Sequence, residues 1–195
     1  MDYTAIILAG GKSKRFGKDK TLLKINDELI IESIINKCKN IFSEIIIVSN
    51  QQNKFKVPGV KEVSDIFLEC GPLGGIHAGL SAAGTPVCFV TACDMPFFHL
   101  PLVEYFLSES ACYEIVVPRE NTNHLQPLFA VYKKSLLPQA EKLLMEKKGR
   151  ILDLYKTAKV LYIDEPDWKK RIQGNDDVFY NINSQKDFDI HLWQS

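Results

Sequence analysis

Hydrophobic positions along this chain follow two rhythms. Ala5-Ile6-Ile7-Leu8, Ile45-Ile46-Ile47-Val48 and Val87-Cys88-Phe89-Val90-Thr91 are short, mostly apolar runs, the pattern of strands buried on both faces. Between the first two, Ile30, Ile31, Ile34, Ile35 and Cys38 recur at helical spacing and predict an amphipathic helix to about Asn40. Two short extended pieces, 21–25 and 29–30, flank a tight turn at Asn26-Asp27. Val60–Val63 predicts a third strand, and Gly71-Pro72-Leu73-Gly74-Gly75 opens a small-residue helix running to about Ala83. Further on, a helix is expected over 102–107, strands over 114–117 and 128–132, helices over 135–147 and 150–156, and a strand over 160–163. Residues 164–177 are expected to be charged and irregular, with a closing helix over 186–192.

Strands alternating with helices argue for an α/β fold with a mainly parallel sheet. A length of 195 residues with no repeat, low-complexity tract or long linker suits one domain over residues 1–195. In such a sheet, ligands bind beyond the carboxyl ends of the strands. That places the segment after the first strand, Ser49-Asn50 after the second, Asp65 after the third and Asp94 after the fourth along one crevice.

The segment after the first strand is the most informative. Gly10 and Gly11 break the strand, and five of the nine positions from 12 to 20 are basic: Lys12, Lys14, Arg15, Lys18 and Lys20. A strand feeding a glycine-rich cationic loop offers backbone N–H groups and positive charge to a polyphosphate. On charge alone, a solvated basic loop is an equal reading. The two familiar phosphate motifs do not fit: five residues separate Gly11 from Gly17, Asp19 follows Lys18, and no third glycine stands in dinucleotide-binding register.

Composition narrows the class. The chain is 46% hydrophobic and 25% charged with net charge zero, so no global field favours nucleic acid or an anionic membrane. No apolar stretch approaches a membrane span, and the N-terminus lacks the apolar run of a signal peptide. Five scattered cysteines without metal-type spacing fit reduced thiols in the cytoplasm.

Asp94, at the end of a buried strand and before Met95-Pro96, is a hard oxygen ligand suited to Mg²⁺ together with substrate phosphates; a turn cap is the equal alternative. The glycines around Gly75 let backbone approach a base or ribose, or merely form a tight turn. Asp65 could accept hydrogen bonds from a base edge or ribose, or merely cap the next segment. Asn181 and Asn183 alternate on one side of an extended segment, which serves either a ligand or turn chemistry. Arg150 is an anion ligand or an exposed charge, and His124, before Gln126-Pro127-Leu128, is a weaker candidate substrate contact. No nucleophilic triad and no zinc pattern occurs.

In combination these residues resemble a known family. Leu8-Ala9-Gly10-Gly11-x-Ser13-x-Arg15-Phe16-Gly17-x-Asp19-Lys20 is similar to the signature of Rossmann-like nucleotidyltransferases, and within them to the molybdenum cofactor guanylyltransferases. Gly71-Pro72-Leu73-Gly74-Gly75-Ile76, Cys93-Asp94-Met95-Pro96, Gln126–Tyr132 and Asn181-Ile182-Asn183 match in the family's order across nearly the whole chain. The resemblance implies a three-layer Rossmann-like nucleotidyltransferase fold and transfer of GMP from GTP to the terminal phosphate of molybdenum-molybdopterin, releasing pyrophosphate. It implies Leu8, Ala9 and Gly10 at the guanine, with Gly11, Asn50, Gly75, Lys20 and Asp65 in the GTP site. Arg15 would face the triphosphate, and Asp94 would bind Mg²⁺ and GTP. Arg150, Asn181 and Asn183 would lie on the pterin side. Transient contact with molybdopterin-handling proteins and apo molybdoenzymes is the implied partnership. Phe16 stands where guanylyltransferases usually carry Met, as in the cytidylyltransferase cousins. Those cousins, however, begin Leu-Ala-Ala-Gly and lack the Gly-Pro-Leu-Gly-Gly segment. Val48 replaces a strand-end Asn found in some guanylyltransferases, leaving Ser49 or Asn50 to make that contact. The competing readings are a cytidylyl- or other nucleotidyltransferase on a small phosphate acceptor, and a non-catalytic GTP-binding module.

Overall fold

The computed structural model describes residues 2–10, 24–25, 28–51, 54–97, 99–120, 124–172 and 178–182. The strands are β1 (Thr4–Leu8), β2 (Lys24–Ile25), β3 (Glu28–Leu29), β4 (Glu44–Val48), β5 (Lys61–Val63), β6 (Val87–Ala92), β7 (Ile115–Glu120), β8 (His124–Leu125), β9 (Phe129–Lys133) and β10 (Val160–Asp164), of which β8 is outside the expected runs. The helices are α1 (Ile30–Cys38), α2 (Gly71–Ala82), α3 (Leu100–Glu109), α4 (Leu137–Met145), α5 (Ile151–Tyr155) and α6 (Glu165–Lys169). The helix expected over 135–147 opens as a tighter turn, Lys134–Leu136, before α4 begins.

The main sheet has the order β10-β7-β9-β6-β1-β4-β5, with β8 paired to β7. Neighbours are parallel at β1–β4, β1–β6, β4–β5 and β7–β10, while β9 runs antiparallel to both β6 and β7. Its direction follows from chain length. Parallel neighbours need a crossover of a dozen or more residues, and only residues 121–128 separate β7 from β9.

Alternation along β1 sets up the layers. Ala5 and Ile7 pack with the isoleucines of α1 and with Leu102, Val103 and Phe106 of α3. Ile6 and Leu8 point the other way, into a second cluster with Leu73 and Ile76 of α2, Leu144 of α4 and Leu154 of α5. Helices thus cover both faces of the sheet, a three-layer arrangement that strands apolar on both sides require. Phe129 is fully buried and meets Phe89, Phe106 and Phe179 edge to face at 5.0, 6.1 and 5.2 Å between centroids.

The expectation of irregular chain over 164–177 needs correction, because α6 occupies Glu165–Lys169. Asp164 stands at its N-cap position, Pro166 lies in its first turn, and Glu165 and Asp167 complement the helix dipole. A five-residue helix burying one side chain, Trp168, is too short to show helical periodicity. The closing helix expected over 186–192 lies outside the described residues.

Candidate active site

The parallel register brings four strand ends level. Leu8 pairs with Val48 and with Ala92, and Val48 pairs with Val63. The chain leaving each strand therefore emerges at one edge of the sheet. Hydrogen bonds continue the ladder one step further: Ala9 N–H donates to Val48 O at 2.9 Å, Ser49 N–H to Val63 O at 2.8 Å, and Cys93 N–H to Leu8 O at 3.1 Å. Backbone immediately before Gly10, Asn50, Asp65 and Asp94 is thereby held by the sheet itself.

Ser49 and Asn50 then diverge. Ser49 is buried, and its hydroxyl closes a local turn, accepting from Gln51 N–H at 3.2 Å. Asn50 is exposed and turns to Asp65. A Cβ on Gly10 would lie 3.8 Å from Asn50 Nδ2, and one on Gly75 would lie 3.2 Å from Leu8 Cδ2 and 3.6 Å from Asp65 Oδ1. Leu8, Gly10, Asn50, Asp65 and Gly75 accordingly form one neighbourhood between the ends of β1, β4 and β5 and the first turns of α2. Gly71 enters that helix at φ 63°, a left-handed conformation that favours glycine.

Asp94 lies on the other side of β1. Met95 N–H donates back to Ala92 O at 3.2 Å, making a tight turn. Lys37 of α1 donates to Pro96 O at 2.6 Å and tethers that turn. Burial pushes the Lys37 ammonium below its ordinary pKa, and burial together with Lys37 does the same to His99. Ile182 N–H donates to Asp94 O at 2.8 Å, drawing the 181–182 segment alongside. Between them opens a cavity of about 330 Å³ lined by Asp94, Met95, Gln126, Pro127, Leu128 and Asn181. Its Pro127 wall is fixed from behind, since Tyr132 Oη bonds Pro127 O at 2.7 Å and lies 2.8 Å from Tyr155 Oη, deep in the core.

Asp94 and Asn181 thus share a cavity. Arg150 stands at the N-terminus of α5, where a Cβ on the preceding Gly149 would lie 2.7 Å from Cys70 O, so it lies close to the start of α2. Gly11, Arg15, Lys20 and Asn183 lie outside the described residues. Glu120, the partner of the cavity residue Gln126, is a neighbour of the site that sequence reasoning missed. It accepts from Gln126 Nε2 at the cavity wall, and only the pairing of β7 with β8 reveals the contact.

Strand ends gathered in this way, with a carboxylate at the central edge, form the ligand-binding edge of a Rossmann-like α/β sheet. The chain matches the model of the MobA-like NTP transferase domain over residues 5–159 and belongs to that family. Proteins named "probable molybdenum cofactor guanylyltransferase" from Pelotomaculum thermopropionicum and Clostridium perfringens are 37% and 36% identical to it. They align over 96% and 95% of this chain and 90% and 94% of their own. Among solved structures, the molybdopterin-guanine dinucleotide biosynthesis protein A of Archaeoglobus fulgidus superposes with a TM-score of 0.80 at 23% identity, covering 96% of this chain and 95% of that one. The 4-diphosphocytidyl-2C-methyl-D-erythritol synthase of Anaerococcus prevotii shares the fold at a TM-score of 0.73 and 13% identity, covering 100% and 99% of the two chains.

Proposed function

We propose that this enzyme transfers GMP from GTP to the terminal phosphate of molybdenum-molybdopterin, forming the guanine dinucleotide cofactor and releasing pyrophosphate. The observation that carries the reading is the level register of β1, β4, β5 and β6. It sets the neighbourhood of Gly10, Asn50, Asp65 and Gly75 on one side of β1, and Asp94 with its cavity on the other. An acceptor oxygen attacks the α-phosphorus as the bond to pyrophosphate breaks, so no protein nucleophile is needed. The protein's work is alignment and charge neutralisation.

Leu8, Ala9 and Gly10 serve the guanine, with Asp65 as acceptor for its N–H groups and Asn50, rather than the buried Ser49, beside it. Gly11, Arg15 and Lys20 serve the phosphates. Asn181, Asn183 and Arg150 serve the pterin substrate. Asp94 offers a hard carboxylate oxygen that suits Mg²⁺, an ion bound through one or two carboxylates completed by phosphate oxygens and water. When bound, the ion supplies charge neutralisation at the phosphates.

We place the reaction in the cytoplasm, where all five cysteines, which are free, would stay reduced. Passing contact with molybdopterin-handling proteins and apo molybdoenzymes belongs to this reading. Among the described residues no helix is long and apolar enough to cross a membrane.

The test is label transfer from α-phosphate-labelled GTP, with CTP in parallel, onto fresh molybdenum-loaded molybdopterin with Mg²⁺. GTP-selective transfer with pyrophosphate release is expected. Transfer from CTP would move the protein to the cytidylyl branch. Transfer from neither, with a competent acceptor, would overturn the reading.

A further inference from the structure

Gln126, which lines the cavity, is backed by a cluster that the strand-end chemistry does not use. Glu120 and His124 face each other across the antiparallel β7–β8 pair, and His124 Nδ1 lies 2.9 Å from Glu120 Oε2. The same oxygen accepts a hydrogen bond from Gln126 Nε2. Gln126 is also fixed through its backbone, donating to Pro118 O at 3.1 Å and accepting from Phe129 N–H at 3.0 Å. An ionised carboxylate only accepts hydrogen bonds, so Glu120 decides which end of the Gln126 carboxamide turns toward it. The amide nitrogen is held there, and the carbonyl oxygen Oε1 is the end left for the cavity that Gln126 lines.

This sets the chemistry of the wall. Gln126 Oε1 brings an acceptor, Met95, Pro127 and Leu128 bring apolar surface, and Glu120 stands behind Gln126. Phosphate oxygens at neutral pH only accept hydrogen bonds, so Gln126 Oε1 offers them no partner. A flat heterocycle with ring N–H and amino donors is the complementary ligand. We infer that Gln126, positioned by Glu120, accepts hydrogen bonds from the N–H donors of the acceptor's pterin ring and sets specificity for that ring. The inference rests on molybdopterin being the acceptor. Gln126 is the binding group and Glu120 a positioning residue.

Molybdopterin binding, measured by equilibrium dialysis with the ligand oxidised afterwards to a fluorescent pterin for quantification, tests this beside GTP binding and melting temperature. Gln126→Glu opposes two carboxylates and removes the amide, and is expected to weaken molybdopterin binding about tenfold or more. GTP affinity should fall less than about threefold, because the guanine neighbourhood lies across β1 and only Asp94 of the GTP site lines this cavity. The exchange E120Q/Q126E restores one amide donor and one carboxylate acceptor with their places swapped, and should recover binding to within about threefold. Unchanged molybdopterin affinity in Q126E overturns the inference. So does an equal loss for GTP, or an exchanged pair that melts like the wild type yet binds as weakly as Q126E. If the wild type binds no molybdopterin, the functional reading fails with it; if the wild type binds and transfers but Q126E matches it, only the role of this pair fails.

Discussion

Asn50 and Asp65 close a reciprocal ring across two parallel strand ends: Asn50 Nδ2 donates to Asp65 Oδ2 at 2.9 Å, and Asp65 N–H donates to Asn50 Oδ1 at 3.1 Å. Both ends of one carboxamide are committed to one neighbour. The carboxylate is thereby turned so that Oδ1 lies on the side of Gly75 and Leu8. Asn50 is exposed, so the ring contributes little to stability and much to orientation.

Asn50→Ala should therefore melt close to the wild type, losing no more than about 1 kcal/mol. Its affinity for GTP should fall about tenfold, since Asp65 loses the group that aims it. Equilibrium titration with a non-hydrolysable GTP analogue, run beside a melting curve, reads both quantities. An Asn50→Ala protein that binds the analogue as tightly as the wild type would show that Asp65 needs no such partner.

Two glycines of α2 separate packing from binding. A Cβ on Gly79 would lie 2.4 Å from Ile6 Cγ2 and 2.9 Å from its Cδ1, inside a fully buried contact. Gly79→Ala should cost about 1–3 kcal/mol by overpacking, despite better helix propensity. At Gly75 the nearest atom is the end of the Leu8 side chain at 3.2 Å, which can give way. Gly75→Ala should keep its stability in urea unfolding while its GTP affinity drops about tenfold, because the methyl group narrows the approach to Asp65. Equal destabilisation by both changes would contradict this division.

The strands were legible because burial on both faces writes itself as unbroken apolar runs: Ile45–Val48 needs no context to be read. The three strand-end polar positions, Asn50, Asp65 and Asp94, followed from that topology. Three things were not legible for physical reasons. Helix α6 is too short to repeat, burying only Trp168. The apolar run of β9 looks the same in either direction, and only the short connection from β7 makes it antiparallel. Glu120 meets Gln126 through strand pairing, which no spacing along the chain reveals. Gly11, Arg15, Lys20 and Asn183 lie outside the described residues, so their roles rest on resemblance to the family.

Backbone hydrogen bonds hold Asp94 and the turn that follows it, and these survive a change of its side chain. Its carbonyl accepts from Ile182 N–H at 2.8 Å, and Lys37 fixes the following turn through Pro96 O at 2.6 Å. Asp94→Ala should thus abolish GMP transfer, a loss of about a hundredfold or more, while melting like the wild type. Lys37→Met, which keeps the buried stem but drops the tether, should lower kcat about tenfold with Asp94 still present. Adding Mg²⁺ over a wide range and measuring transfer would check both; undiminished transfer by Asp94→Ala would remove Asp94 from the metal site.

The buried thiols predict an alkaline limit to stability. Cys38 and Cys88 are fully buried, and burial pushes each thiol up to about 12, with Lys37 pulling Cys38 partly back and Glu44 reinforcing the rise at Cys88. The fold therefore holds both thiols neutral. Below the unfolded value of 9.0 both states are protonated and the thiols add no pH dependence. As pH climbs from there toward 12, the unfolded chain ionises first, so stability falls by up to about 1.4 kcal/mol per thiol per pH unit. Urea unfolding between about pH 8.5 and 10.5 should show a steeper decline for the wild type than for C38A/C88A, whose lysines and tyrosines titrate alike. At pH 8, Ellman's reagent should label the exposed Cys112 quickly and reach Cys38 and Cys88 only on unfolding. Parallel stability curves for the two proteins would show that these thiols ionise in the folded state as readily as in the unfolded one.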